Sequence, residues 1–95
     1  MRAELAIALC QIAPIVGDIK GNIERIRRAY GVARDQGADL AVFCELVVSG
    51  YPPEDLVQKP SFQRACREAV TRLAAETARG PAMIISAPWR ETDGL

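Results

Sequence analysis

The 95-residue sequence predicts an α/β fold with element order strand–helix–strand–helix–strand. Three observations carry this. Short, nearly continuous apolar runs recur at 5–11, 39–44 and 82–87. Two longer segments between them repeat apolar residues at three- and four-residue spacing, the signature of helices with one buried face. Glycine and proline fall between these stretches and seldom inside them.

Leu5-Ala6-Ile7-Ala8-Leu9-Cys10-Gln11 lacks polar alternation and reads as a strand buried on both faces. Pro14 and Gly17 break it, and Asp18 or Asn22 is placed to cap the next helix. In that helix Ile19, Ile23, Ile26, Tyr30 and Ala33 form one stripe, Arg25, Arg27, Arg28 and Arg34 lie off it, and Gly37 is a natural stop. Asp39-Leu40-Ala41-Val42-Phe43-Cys44 is a second buried strand. Pro52 and Pro53 enforce a stiff turn, and Pro53 suits the start of a short helical turn with Glu54 and Asp55 at its positive end. Ser61 is the expected cap of the second long helix, whose buried face is Phe62, Cys66, Ala69, Leu73 and Thr77, with Glu68 and Arg72 as an i,i+4 ion pair. Gly80-Pro81 ends it, and Ala82-Met83-Ile84-Ile85-Ser86-Ala87 is the third buried strand. Helical connections between neighbouring strands imply a parallel sheet. Beyond it Asp93-Gly94 is a favoured hairpin pair, with only Leu95 after it. The chain is therefore expected to be an incomplete domain.

Composition narrows the chemistry. Twelve basic residues balance twelve acidic ones, so no basic field points to nucleic acid or an anionic membrane. There is no histidine, which excludes a Ser-His-Asp triad, a Cys-His dyad or a Cys₂His₂ zinc site built from this chain alone. Cys10, Cys44 and Cys66 are widely spaced, which argues against a disulfide framework or structural metal and for a reducing, cytoplasmic setting. They read as small buried apolar residues. The first residues lack the pattern of a signal peptide, and no apolar run is long enough to span a bilayer.

Two places remain for chemistry. Glu45 follows the second strand at its carboxyl end, where open α/β sheets bind ligands. Flanked by Cys44 and Leu46, its carboxylate is expected to be partly desolvated, as suits a general base. The alternative is a strand-end glutamate that meets solvent or pairs with an arginine. The stiff turn from Gly50 to Leu56 offers Tyr51 as a pocket wall facing Glu45, or else is a structural loop with two solvated acids. Gly17-Asp18-Ile19-Lys20-Gly21 matches no phosphate-binding pattern, and Asp18 would repel a phosphate.

Three segments in combination resemble the nitrilase, or carbon–nitrogen hydrolase, superfamily. They are Gln11-Ile12-Ala13-Pro14-Ile15-Val16-Gly17-Asp18 with Asn22, then Phe43-Cys44-Glu45-Leu46, then Gly50-Tyr51. Gly50-Tyr51-Pro52-Pro53-Glu54-Asp55-Leu56, followed by Pro60-Ser61-Phe62, is similar to the branch that forms the glutaminase domains of glutamine-dependent NAD synthetases. Cys44 departs from the pattern, since many relatives carry proline before this glutamate.

The resemblance implies the N-terminal part of a four-layer α-β-β-α sandwich, with residues 1–95 as an incomplete front portion of the domain. It implies a Glu-Lys-Cys triad in which Glu45 is the general base and Tyr51 lies beside the glutamine pocket. The lysine and the nucleophilic cysteine belong farther along than Leu95, and neither Lys20, Lys59 nor any cysteine here sits in a matching motif. In such a site a thiolate attacks the glutamine carboxamide, a lysine ammonium stabilises the oxyanion, and water releases glutamate from the thioester. The ammonia then amidates nicotinic acid adenine dinucleotide in a separate synthetase domain that uses ATP and magnesium. No cofactor is expected in this chain. Its expected partners are glutamine, the rest of the amidase domain, the synthetase domain and further copies of the whole protein. Two other readings stand beside this one: an amidase or nitrilase of the same superfamily acting on another substrate, and a non-catalytic α/β binding or scaffold module.

Overall fold

A computed structural model describes residues 4–50 and 59–88. The Tyr51-to-Leu56 turn, including the helical turn expected at Pro53, and the Asp93-Gly94 hairpin lie outside the described residues. Five elements follow one another: β1 (Ile7–Cys10), α1 (Ile19–Asp35), β2 (Leu40–Phe43), α2 (Pro60–Glu76) and β3 (Ala82–Ile84). The expected order is the observed one. The strands form one parallel sheet in the order β1-β2-β3, with Cys10 opposite Phe43 and Val42 opposite Ile84. All three carboxyl ends therefore point the same way.

The helix stripes are those expected from spacing, except that Thr77 is the half-buried C-cap of α2 and not part of its buried face. Ile23, Ile26, Tyr30 and Ala33 of α1 are buried, with Ile19 packed at the edge. Cys66, Ala69 and Leu73 of α2 are buried, and Phe62 packs against them. Asp18 is the N-cap of α1, accepting from the Gly21 N–H at 3.1 Å. Asn22 is no cap but a buried residue inside the helix. At the other end Gly37 adopts φ +83°, the left-handed stop that glycine tolerates best.

Helix α2 departs from expectation at its start. It begins at Pro60, with Lys59 as an N-cap that makes no side-chain capping bond, and Ser61 lies within the helix. Proline at the first position brings a preset φ and lacks only an N–H that would have had no partner, which suffices to open the helix. Glu68 and Arg72 do not pair. Instead Arg72 adds to the field around Glu76, and Arg27 of α1 meets Glu76 through two bonds of 2.7 Å and also reaches Glu24. This ion pair links the two helices across 49 positions of sequence. The Arg27 hydrogen bond is the main reason that the Glu76 carboxyl titrates below its usual range, and the Glu76 bond in turn raises the Arg27 guanidinium.

The strands correct a second expectation, because they are not buried on both faces. Ala8, Cys10, Ala41, Phe43 and Met83 face the helices and join the core. The opposite residues do not: Ile7, Leu9 and Ile84 are exposed, Leu9 by 75%. Both long helices pack on one side, and no described element covers the other. A near-continuous apolar run signals that both faces need cover without saying which part of a protein supplies it. Nor are all three cysteines buried. Cys66 is, Cys10 is half-buried and Cys44 is exposed, all as free thiols. Burial pushes the Cys66 thiol up to about 11 and raises that of Cys10.

Ile26 is fully buried, so Ile26→Ala is expected to cost about 2–5 kcal/mol, read as a lower urea midpoint. The lowered Glu76 titration adds stability above the usual carboxylate range, lost as pH falls through the lowered value. Both partners are partly solvated, so the acid-side loss is small. Glu76→Gln is expected to flatten that part of a melting-temperature profile. With a thiol reagent, exposed Cys44 is expected to react at once and Cys66 only as the protein unfolds.

Candidate functional site

The candidate site grows from the carboxyl end of the central strand. β2 stops at Phe43, and residues 45–49 form a turn that carries the chain back over the end of the sheet. Leu46 sits at φ +51°, a left-handed conformation that a branched side chain adopts at a cost of about 1–3 kcal/mol. Such a conformation persists only where its surroundings hold it. Here the Leu46 carbonyl accepts the Gly50 N–H at 2.8 Å, and its own N–H donates to the Ser86 hydroxyl just beyond β3. The Val48 N–H lies 3.5 Å from the Ser86 carbonyl. Val47, Val48 and Ser49 are fully buried, which sinks the far half of the turn into the core.

A second loop clasps the turn from the other side. Asn22 is fully buried, and its carboxamide uses every polar position it has. Oδ1 accepts the Ile15 N–H at 2.8 Å, while Nδ2 donates to the carbonyls of Ile15 at 2.9 Å and Val48 at 3.0 Å. The Gly17 N–H adds a bond of 2.9 Å to the Ser49 carbonyl. Gly50, at φ +84°, lies so close that a Cβ there would stand 2.6 Å from Cα of Val16. Backbone cannot yield as a side-chain tip can, so only glycine fits. The Gln11-to-Asp18 motif, Asn22 and Gly50 are thus parts of one contact.

Glu45 stands at the outer lip of this turn and is exposed, which corrects the expected partial desolvation. Its neighbour Cys44 is exposed too, and the burial begins only at Val47, so the flanking residues do not wall it in. No described residue bonds its carboxylate. Tyr51, the other expected site residue, lies outside the described residues, so Glu45 is the candidate whose surroundings are defined. Two contributors are absent from the candidates drawn from the sequence. Ser86 reads there only as part of a strand, although a hydroxyl within Ala82-Met83-Ile84-Ile85-Ser86-Ala87 is a signal for a specific hydrogen bond. Asn22 reads as a cap or a motif member, and its reach to Val48 has no local sequence signature.

Among the described residues no group of His, Cys, Asp or Glu is arranged to hold a metal ion. No described helix is long and apolar enough to cross a membrane. The site offers instead one solvent-accessible carboxylate on a backbone held by buried bonds, an arrangement suited to moving a proton.

Comparison with known proteins places the chain by sequence and by fold. The profile of the carbon–nitrogen hydrolase family matches residues 6–94. The chain is 44% identical over 73 residues to a glutamine-dependent NAD(+) synthetase of Thermotoga maritima, covering 77% of this chain and 13% of that protein. It is 37% identical over 94 residues to the one from Rhodobacter capsulatus, covering 99% of this chain and 17% of that protein. The chain thus spans only a small part of the length of these relatives. Among solved structures, a glutamine-dependent NAD+ synthetase from Acinetobacter baumannii superposes with a TM-score of 0.81 at 31% identity, over 92% of this chain and 16% of that one. An amidase from Nesterenkonia sp. gives 0.74 at 29% identity, over 93% of this chain and 35% of that one. With the family profile matching residues 6–94 and relatives above 30% identity along most of its length, the chain belongs to the carbon–nitrogen hydrolase family.

Proposed function

We propose that residues 1–95 form the front part of the glutaminase domain of a glutamine-dependent NAD synthetase, with Glu45 as its general base. The observation that carries this reading is Glu45 at the carboxyl end of the central parallel strand, on a turn held by buried bonds, in a chain whose relatives are such synthetases. Exposure in this chain suits a base that must be reached by a thiol contributed from elsewhere in the domain. Glu45 takes the proton of the cysteine thiol as the thiolate attacks the amide carbon of glutamine. It returns that proton to the departing nitrogen, so that ammonia leaves and a thioester remains. It then takes a proton from the attacking water, glutamate is released and the thiol is restored. The lysine and cysteine of the triad lie outside this chain, and Tyr51 borders the glutamine pocket. ATP and magnesium act in the separate synthetase domain, where the ammonia is used. The full protein works in the cytoplasm as a homo-oligomer.

The open sheet face fits the same reading. Ile7, Leu9 and Ile84 present an apolar surface of the kind that the second sheet of an α-β-β-α sandwich would cover. The likeness to the Nesterenkonia amidase supports a second reading, hydrolysis of a different amide at the same carboxylate.

The test uses the full-length protein that carries this segment. Glu45→Gln is expected to lower glutamine hydrolysis and glutamine-driven NAD formation by about 10²-fold or more, while NAD formation from added ammonia continues. Glutamine hydrolysis at the unmutated rate would overturn the role of Glu45. Rapid hydrolysis of another amide, with glutamine inert, would favour the amidase reading. Residues 1–95 alone are expected to release no glutamate from glutamine.

A further inference from the structure

The proposed base has no described partner at its carboxylate, so its direction is set by the backbone beneath it. The peptide that joins Glu45 to Leu46 decides that direction. Its N–H belongs to Leu46, and rotating this peptide swings the Glu45 Cα–Cβ bond with it. The hydroxyl of Ser86 accepts that N–H. On the far side of the same residue, the Leu46 carbonyl takes the Gly50 N–H at 2.8 Å and lies 3.5 Å from the Ser49 hydroxyl. The left-handed Leu46 is thus held at both ends, and the end nearest Glu45 depends on one side chain.

We propose that Ser86 is a positioning residue for Glu45. It acts through the Leu46 N–H, fixing the Glu45–Leu46 peptide so that the carboxylate meets the incoming thiol at a productive angle. Removing the hydroxyl leaves that N–H without its acceptor and Leu46 free to relax toward the ordinary helical or extended regions. The turn itself remains seated, because Asn22 still grips the Val48 carbonyl and Gly17 the Ser49 carbonyl. The effect is then a misdirected carboxylate on an intact fold. Ser86 is half-buried, and its hydroxyl acts on the backbone of the turn rather than on substrate.

This inference rests on Glu45 being the base, and the experiment separates the two. In the full-length protein, kcat and KM for glutamine hydrolysis, ammonia-driven NAD formation and the melting temperature are measured for Ser86→Ala, Ser86→Thr and Glu45→Gln. The expected result is a fall in kcat of about ten- to a hundredfold for Ser86→Ala with KM little changed, as for a misplaced catalytic group. Ser86→Thr, which keeps the hydroxyl, restores most of that rate, and ammonia-driven synthesis is the same in all three. If Glu45→Gln abolishes hydrolysis while Ser86→Ala keeps the unmutated kcat, the positioning role is overturned and the base remains. The positioning role is likewise overturned if Ser86→Ala fails to fold, lowers both activities together, or is not rescued by threonine, since the hydroxyl would then serve the domain at large. If Glu45→Gln hydrolyses glutamine normally, the reading on which the inference rests has failed.

Discussion

The buried carboxamide of Asn22 is the constraint on which the arrangement at the end of the sheet depends. A carboxamide has an acceptor at one corner and two donors at the other, and here both ends are used within the protein. Its bonds to Ile15 close the approach to α1, and its bond to Val48 crosses to the turn after β2. An aspartate of the same shape would lack the donors and would set a charge against two carbonyls. A leucine would leave the Val48 carbonyl buried without this partner, at a cost of about 1–3 kcal/mol. The first turn of α1, the loop before it and the turn carrying Glu45 are therefore tied together by one side chain.

That tie explains how an exposed carboxylate can still be directed. Backbone precision comes from below the surface: Val47, Val48 and Ser49 are sunk in the core, Gly50 abuts Val16, and Ser86 reaches across from beyond β3. The strain of Leu46 is confined to the residue after Glu45, where it bends the chain without exposing an unpaired polar group. A helix or a regular strand would satisfy its own hydrogen bonds and offer no such bend. The sheet and the turn that follows β2 thus present one exposed carboxylate, that of Glu45, on a backbone fixed from beneath.

Two different forces hold the helices in place, one against the sheet and one against each other. Apolar stripes on α1 and α2 bury against Ala41, Phe43 and Met83, a match of surfaces that needs no specific partner. The Arg27–Glu76 pair then fixes how the two helices lie side by side, with a planar fork meeting a carboxylate through two bonds. The uncovered face, by contrast, has the composition of an interior with nothing described upon it.

Much of this fold is legible from periodicity alone. The stripe from Ile19 to Ala33 and the face from Phe62 to Leu73 follow from 3.6 residues per turn, and the short apolar runs between breakers follow as strands. The position of Glu45 just past a strand end is legible as well, because the end of a strand and the start of a turn are both local. Its exposure is not, because burial is set by what packs around it. The start of α2 is harder to place because Pro60 and Ser61 are competing local signals, and the geometry of proline wins. Cys44 and the outer faces of β1 and β3 differ from expectation because burial depends on what packs from afar. Only the tertiary structure decided that Asn22 faces Val48, that the Ser86 hydroxyl meets the Leu46 N–H and that Arg27 pairs with Glu76. Hydrogen bonds span about 3 Å in space whatever the separation in sequence, so no local pattern foretells which donor and acceptor the fold will bring together.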